Sequence, residues 1–137
     1  MEKKDLKRIL RTYYESLEVG KILGRKCMAC SHIEFPPYLA CNACGHLDTE
    51  WCEIPGKGVL TQIMFPSPVF ANKALKEEVG EYCVGAVKPE NSDEMNTCII
   101  GVSPDRVDEL RNKIPVPVKP IIVQADGYKT VFWELDE

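Results

Sequence analysis

Between Asp5 and Glu18, apolar residues recur at Leu6, Ile9, Leu10, Tyr13, Tyr14 and Leu17. Offsets of three and four place them along one side of an α-helix. Lys7, Arg8, Arg11 and Glu15 fill the rest of the circumference, and Gly20 supplies the stop. So wide a stripe must be covered, either by its own domain or by another chain. The six apolar residues are therefore candidate partner contacts.

Residues 21–54 read differently. They carry little hydrophobic bulk and two cysteine pairs, and Pro36, Pro37 and Gly45 break them up. A segment this small cannot bury enough apolar area to hold itself together, so it needs a staple. From Pro55 onward the texture becomes that of short strands. The β-rich runs are Gly58–Phe65, Tyr82–Val87, Thr97–Val102, Val116–Gln124 and Tyr128–Leu135. Asp126-Gly127 marks a hairpin between the last two. Ser103 as N-cap and Pro104 at the first helical position open a short helix through about Asn112. Asn72–Val79 forms a second helical candidate. Pro115, Pro117 and Pro120 each remove a ladder donor, which predicts that their strand lies partly at an edge.

The predicted fold is mainly β, with an N-terminal amphipathic helix (1–20), a small unit built around the two cysteine pairs (21–54) and a barrel (55–137). Five strands with one helix before the last two suggest a small, partly open Greek-key barrel of the oligonucleotide/oligosaccharide-binding (OB) type.

A chain of 137 residues, 45% hydrophobic and 28% charged, has an ordinary globular balance. It has no apolar run of membrane-spanning length and no secretory signal at its start, so a cytoplasmic protein is expected, with no membrane partner. The net charge of −4 is uneven. Residues 1–26 hold eight Lys/Arg against four Asp/Glu, whereas the rest holds nine against seventeen. An acidic body repels a phosphate backbone, which speaks against nucleic acid as the partner. An anionic ligand would find its place near the N-terminal fifth.

Of seven cysteines, four form two identical pairs: Cys27-Met-Ala-Cys30 and Cys41-Asn-Ala-Cys44. Each C-x2-C can turn as a knuckle, and two knuckles close a tetrahedron of thiolates around one ion. A glycine after the second cysteine eases that turn; Gly45 provides it, and Ser31 stands at the equivalent place. Four thiolates saturate a divalent ion, so the site is structural. Zinc is favoured because the unit is attached to a larger domain, while iron remains compatible with the spacing.

Cys83 and Cys98 fall within strands and read as buried thiols. The two histidines, His32 and His46, flank the knuckles as supporting or surface residues. No catalytic set emerges. Gly56-Lys57-Gly58 lacks the length of a phosphate loop and reads as a turn into the first barrel strand. Phe35, Tyr38, Trp51, Phe65 and Phe70 are as well explained by a core as by a ligand slot.

Tyr14-Glu15-Ser16-Leu17, Gly20-Lys21-Ile22-Leu23-Gly24-Arg25-Lys26-Cys27, Phe35-Pro36-Pro37, Cys41-Asn42-Ala43-Cys44-Gly45, Trp51 and Gly56-Lys57-Gly58-Val59-Leu60-Thr61 form a recognisable series. The chain resembles a family of small acyl-CoA-associated proteins, once classed as a domain of unknown function. Those proteins carry an N-terminal helix, a rubredoxin-like zinc ribbon and a C-terminal OB fold. Ser31 replaces the family's usual glycine, and Tyr38 stands where arginine is common. The resemblance implies a non-catalytic accessory subunit in a hetero-oligomer. Its partner would be a thiolase-fold enzyme, or hydratase or aldolase subunits acting on acyl-CoA, with a CoA ester shared across the complex. No residue is assigned to CoA. The alternative is a nucleic-acid-binding zinc-ribbon/OB protein; a rubredoxin-type electron carrier is a third reading.

Overall fold

The computed structural model describes residues 6–64, 77–125 and 127–136. They form two compact units: residues up to Pro55 together with Glu90–Asp93, and Gly56–Pro89 together with the chain from Glu94 onward.

The first unit opens with α1 (Leu6–Glu18). Its end is a Schellman turn. The Gly20 N–H donates to the Leu17 carbonyl at 3.1 Å and the Lys21 N–H to that of Ser16 at 2.9 Å, with Gly20 at φ 84. The apolar stripe divides in two. Ile9, Tyr13 and Leu17, spaced by four, are buried, and the Tyr13 ring meets Phe35 edge-on at 6.1 Å. Leu10 and Tyr14 remain 37% and 41% exposed. The Leu6 side chain lies outside the described residues.

Three strands follow: β1 (Leu23–Cys27), β2 (Ile33–Glu34) and β3 (Thr49–Glu53), in the antiparallel order β2-β1-β3. In register, Arg25 faces Trp51 across the β1–β3 pair. The Arg25 guanidinium lies 4.7 Å from the Trp51 ring centroid and donates to both the hydroxyl and the carbonyl of Thr49. Burial lowers its pKa from the ordinary arginine value, with Glu50 and Cys52 acting in opposition. Stacking on an indole while donating to backbone and hydroxyl acceptors offsets the cost of burying this cation.

The second unit is a five-stranded barrel: β4 (Gly58–Met64), β5 (Tyr82–Pro89), β6 (Met95–Ile100), β7 (Val116–Ala125) and β8 (Tyr128–Leu135). Each predicted strand is present: β8 keeps its predicted bounds, β5, β6 and β7 differ by one or two residues at one end or both, and Phe65, the predicted end of β4, lies outside the described residues. The order β4-β5-β6-β8-β7 closes on itself, which corrects the partly open barrel expected from strand counting. Closure rests on short pairings. The parallel β6–β8 pair matches Ile99 with Trp133 and Ile100 with Glu134, and β4 meets β7 only at Gly58↔Val118, Val59↔Pro117 and Leu60↔Val116. Among the described residues, β7 beyond Val118 pairs with β8 alone, and on such a one-sided stretch the missing N–H of Pro120 is tolerated. Ala125 pairs with Tyr128, leaving the two-residue connection that the Asp-Gly signal predicts; Asp126 itself lies outside the described residues.

Between β6 and β7, a 3-10 turn (Pro104–Arg106) leads into α2 (Val107–Arg111). Ser103 precedes it, but its hydroxyl makes no cap to a backbone N–H and instead donates to the Asp105 carboxylate. The short helix is anchored by buried Val107 and Leu110. Of the predicted helix Asn72–Val79, residues 77–79 are helical and the remainder lies outside the described residues, as do Phe65 and Phe70. No helix among the described residues is long and apolar enough to cross a membrane.

The barrel core contains Trp133, Leu60, Ile63, Val87, Ile99 and Val118, all 2% exposed or less. The β4–β5 register slips between Leu60 and Gln62, and Gly85 sits opposite this bulge. A Cβ on Gly85 would come within 2.3 Å of the Gln62 carbonyl oxygen. Since the obstacle is backbone, Gly85→Ala should lower stability by about 2–3 kcal/mol, near the upper end for overpacking. Urea unfolding checks this; an unchanged midpoint would show that the bulge yields freely.

Candidate metal centre

The two knuckles are built alike. In the first, the Cys27 N–H donates to the His32 carbonyl at 2.8 Å and the Ser31 N–H to the Cys27 carbonyl at 2.9 Å. In the second, the Cys41 N–H donates to the His46 carbonyl at 3.0 Å and the Gly45 N–H to the Cys41 carbonyl at 2.8 Å. Both turns need a left-handed residue at the same place, and Ser31 (φ 68) adopts what Gly45 (φ 81) adopts freely. The departure at Ser31 therefore leaves the geometry intact, at roughly 1–2 kcal/mol of backbone strain.

These turns bring four sulfurs together. Cys27 Sγ lies 3.5 Å from Cys44 Sγ, and Cys30 Sγ lies 3.6 Å from Cys41 Sγ. All four lie within 4.8 Å of one another, and none is in a disulfide. A tetrahedral ion with bonds of about 2.3 Å to sulfur has edges of about 3.8 Å, so the arrangement fits one ion. Cys27 and Cys41 are buried, while Cys30 and Cys44 are exposed.

The electrostatics point to a cation. The Cys30 backbone N–H, the largest influence on Cys27, lowers that thiol to about 6, with the Ala29 N–H assisting. At Cys44, the His46 N–H favours the thiolate, yet burial and the three neighbouring sulfurs outweigh it and push the thiol up to about 12. Cys30 is raised in the same way: the His32 N–H opposes, but burial and the Cys41 and Cys27 sulfurs prevail. Four thiolates cannot share this volume without a positive charge among them.

Glu34 and Asn42 were not legible as site residues. The carboxylate of Glu34, which is 6% exposed, accepts from the backbone N–H of Asn42 and, at 3.1 Å, from its side-chain amide. It thus pins β2 to the residue that follows Cys41. A short polar alternation, His32-Ile33-Glu34, was the available signal.

The remaining cysteines behave as packing residues. Cys83 is buried and directs its thiol at the Val102 carbonyl, 3.4 Å away; burial foremost, then Glu81 and Asp105, raises its pKa. Cys98 and Cys52 are half-buried, and burial is again the main cause of their raised values. A thiol held protonated is a poor nucleophile. His46 is exposed, and His32 has carboxylates beside it.

No family model matches this chain, and no curated protein matches it. Solved structures do. One is the chain described as "Ltp2-ChsH2(DUF35) aldolase", with TM-score 0.67 and 21% identity over 98% of this chain and 100% of that one. Another is a DUF35-family protein of unknown function from Sulfolobus solfataricus, with TM-score 0.56 and 16% identity over 93% of this chain and 85% of that one. The chain therefore shares the fold of DUF35 proteins along nearly its whole length.

Proposed function

We propose that this protein is a non-catalytic accessory subunit of an acyl-CoA-processing assembly, paired with a thiolase-type enzyme. In this reading Cys27, Cys30, Cys41 and Cys44 hold a structural Zn2+. Four thiolates leave such an ion no open position, so it shapes the protein and does not touch a substrate. Zinc suits a ribbon appended to a barrel; iron in the same cage would serve electron transfer.

The observation that carries the proposal is where apolar surface remains. Among the described residues, six of the eight large hydrophobic side chains that stay exposed lie in the first unit: Leu10, Tyr14, Val19, Met28, Tyr38 and Leu47. Leu10 and Tyr14 are one turn apart on α1, Met28 lies inside the first knuckle, and Leu47 follows the second. A metal-stiffened module presenting aromatic and aliphatic side chains is suited to bind another protein, where such residues dominate affinity. The structural likeness to a DUF35 chain whose name couples it to an aldolase supports assembly with an enzyme. Arg8 and Arg11 are exposed on the same helix, where they would complement the phosphates of a CoA ester held by the partner.

The test is affinity purification of the full chain from its native host. A thiolase-type chain should co-elute in stoichiometric amount. A Leu10→Asp/Tyr14→Asp variant, with metal content unchanged, should weaken the complex about 30-fold or more. Recovery of the protein alone, or undiminished binding by that variant, would count against the proposal.

A further inference from the structure

Beside the cysteine cage lies a second group of ligand-type side chains. His32 Nε2 is 3.5 Å from Glu34 Oε1 and 3.4 Å from Asp93 Oδ2, and the three donor atoms lie within 4.8 Å of one another. All three residues belong to the first unit, where the Ile33 N–H also donates to the Asn91 carbonyl at 2.8 Å and so holds the 90–93 turn beside β2.

These distances are not those of a satisfied hydrogen-bonded pair. A charged N–H···O bond closes to about 2.7–2.9 Å. Here Nε2 is shut off from solvent and has no hydrogen-bond partner among the described residues, although two carboxylate oxygens stand near it. A buried ring nitrogen without a partner costs about 1–3 kcal/mol. The two distances from His32 instead match the edge of a tetrahedron around an ion bonded at about 2.0–2.1 Å, which is about 3.3–3.4 Å. A neutral imidazole and two carboxylates also offset the charge of a divalent ion without excess.

We propose that His32, Glu34 and Asp93 form a second divalent-metal site, chemically distinct from the cysteine cage and suited to Zn2+. Its donors are one nitrogen and two oxygens, a set that zinc accepts and that lacks the softness of thiolate. Glu34 is held in place by Asn42, the supporting hydrogen bond that a metal-binding carboxylate needs. Asp93 is 68% exposed and gives the ion a route in from solvent. Three protein ligands leave a fourth position for water or an added donor, which the cysteine cage does not offer. The ion would clamp β2 to the 90–93 turn.

Titrating the metal-free full chain with Co2+ tests this, because thiolate ligation gives intense near-ultraviolet charge-transfer absorption and nitrogen/oxygen ligation does not. The wild type should take up two equivalents, only one of them with the thiolate signature. Asp93→Asn, at an exposed position, should keep the thiolate signal and lose the second equivalent. Its affinity there should fall by more than the roughly 10–100-fold that loss of a supporting residue costs. His32→Gln should do the same. Saturation of the wild type at one equivalent under excess Co2+ would overturn the proposal, as would a second equivalent that survives in Asp93→Asn.

Discussion

Stripping the metal, or replacing the two buried ligands together as Cys27→Ser/Cys41→Ser, is expected to unfold the first unit. A structural zinc contributes on the order of 10 kcal/mol to a small module, which is comparable with the whole stability of an ordinary domain. Little else in this unit could compensate. Among the described residues its buried apolar side chains are Ile9, Tyr13, Leu17, Ile33, Phe35 and Pro37, besides the cysteines themselves. The two tryptophans give a direct readout, because Trp51 lies on β3 of the first unit and Trp133 on β8 of the barrel. With Phe at position 133, emission reports Trp51 alone. Chelation should shift that emission to the red and open it to iodide quenching. In the converse variant, Trp51→Phe, emission from Trp133 should stay protected. A Trp51 signal indifferent to chelator would mean that the ribbon holds without its ion.

The barrel's own weak point is Trp133. It is 0% exposed, is paired with Ile99 on one side and Pro120 on the other, and its ring lies against Gly58, where an added Cβ would come within 3.1 Å of it. Trp133→Ala should lower barrel stability by about 3–5 kcal/mol, the range for emptying a large aromatic site. Trp133→Phe should be far milder, at about 1–2 kcal/mol. The indole N–H has no hydrogen-bond partner among the described residues, so its removal recovers part of the desolvation penalty. Urea denaturation followed by far-ultraviolet dichroism separates the two. Equal losses would mean that the indole edge matters as much as the bulk.

What the sequence displayed most clearly was periodic or repeated. The α1 stripe, the five barrel strands and the twin C-x2-C spacing were legible because each is a local pattern. The stripe's division was not. Ile9, Tyr13 and Leu17 face inward while Leu10 and Tyr14 stay exposed, a distinction of about 100° on the helix that depends on where Phe35 lies. The strands β1, β2 and β3 were hidden for a different reason. β2 has only two residues, and the two cysteine turns, not alternating apolar residues, organise this sheet. Barrel closure depends on Ile99 meeting Trp133, a pairing that no local window contains. The trio at His32, Glu34 and Asp93 was concealed in the same way, since Asp93 reaches the other two only through the fold.

The parallel seam between β6 and β8 also sets an order of events during synthesis. Cys44, the last ligand of the cage, leaves the ribosome long before Trp133. At about 5–20 residues per second, the 80 residues from Glu53 to Trp133 take roughly 4–16 seconds to translate. During that interval all four cysteines are already free to gather, while the strands behind them have no closed barrel to join.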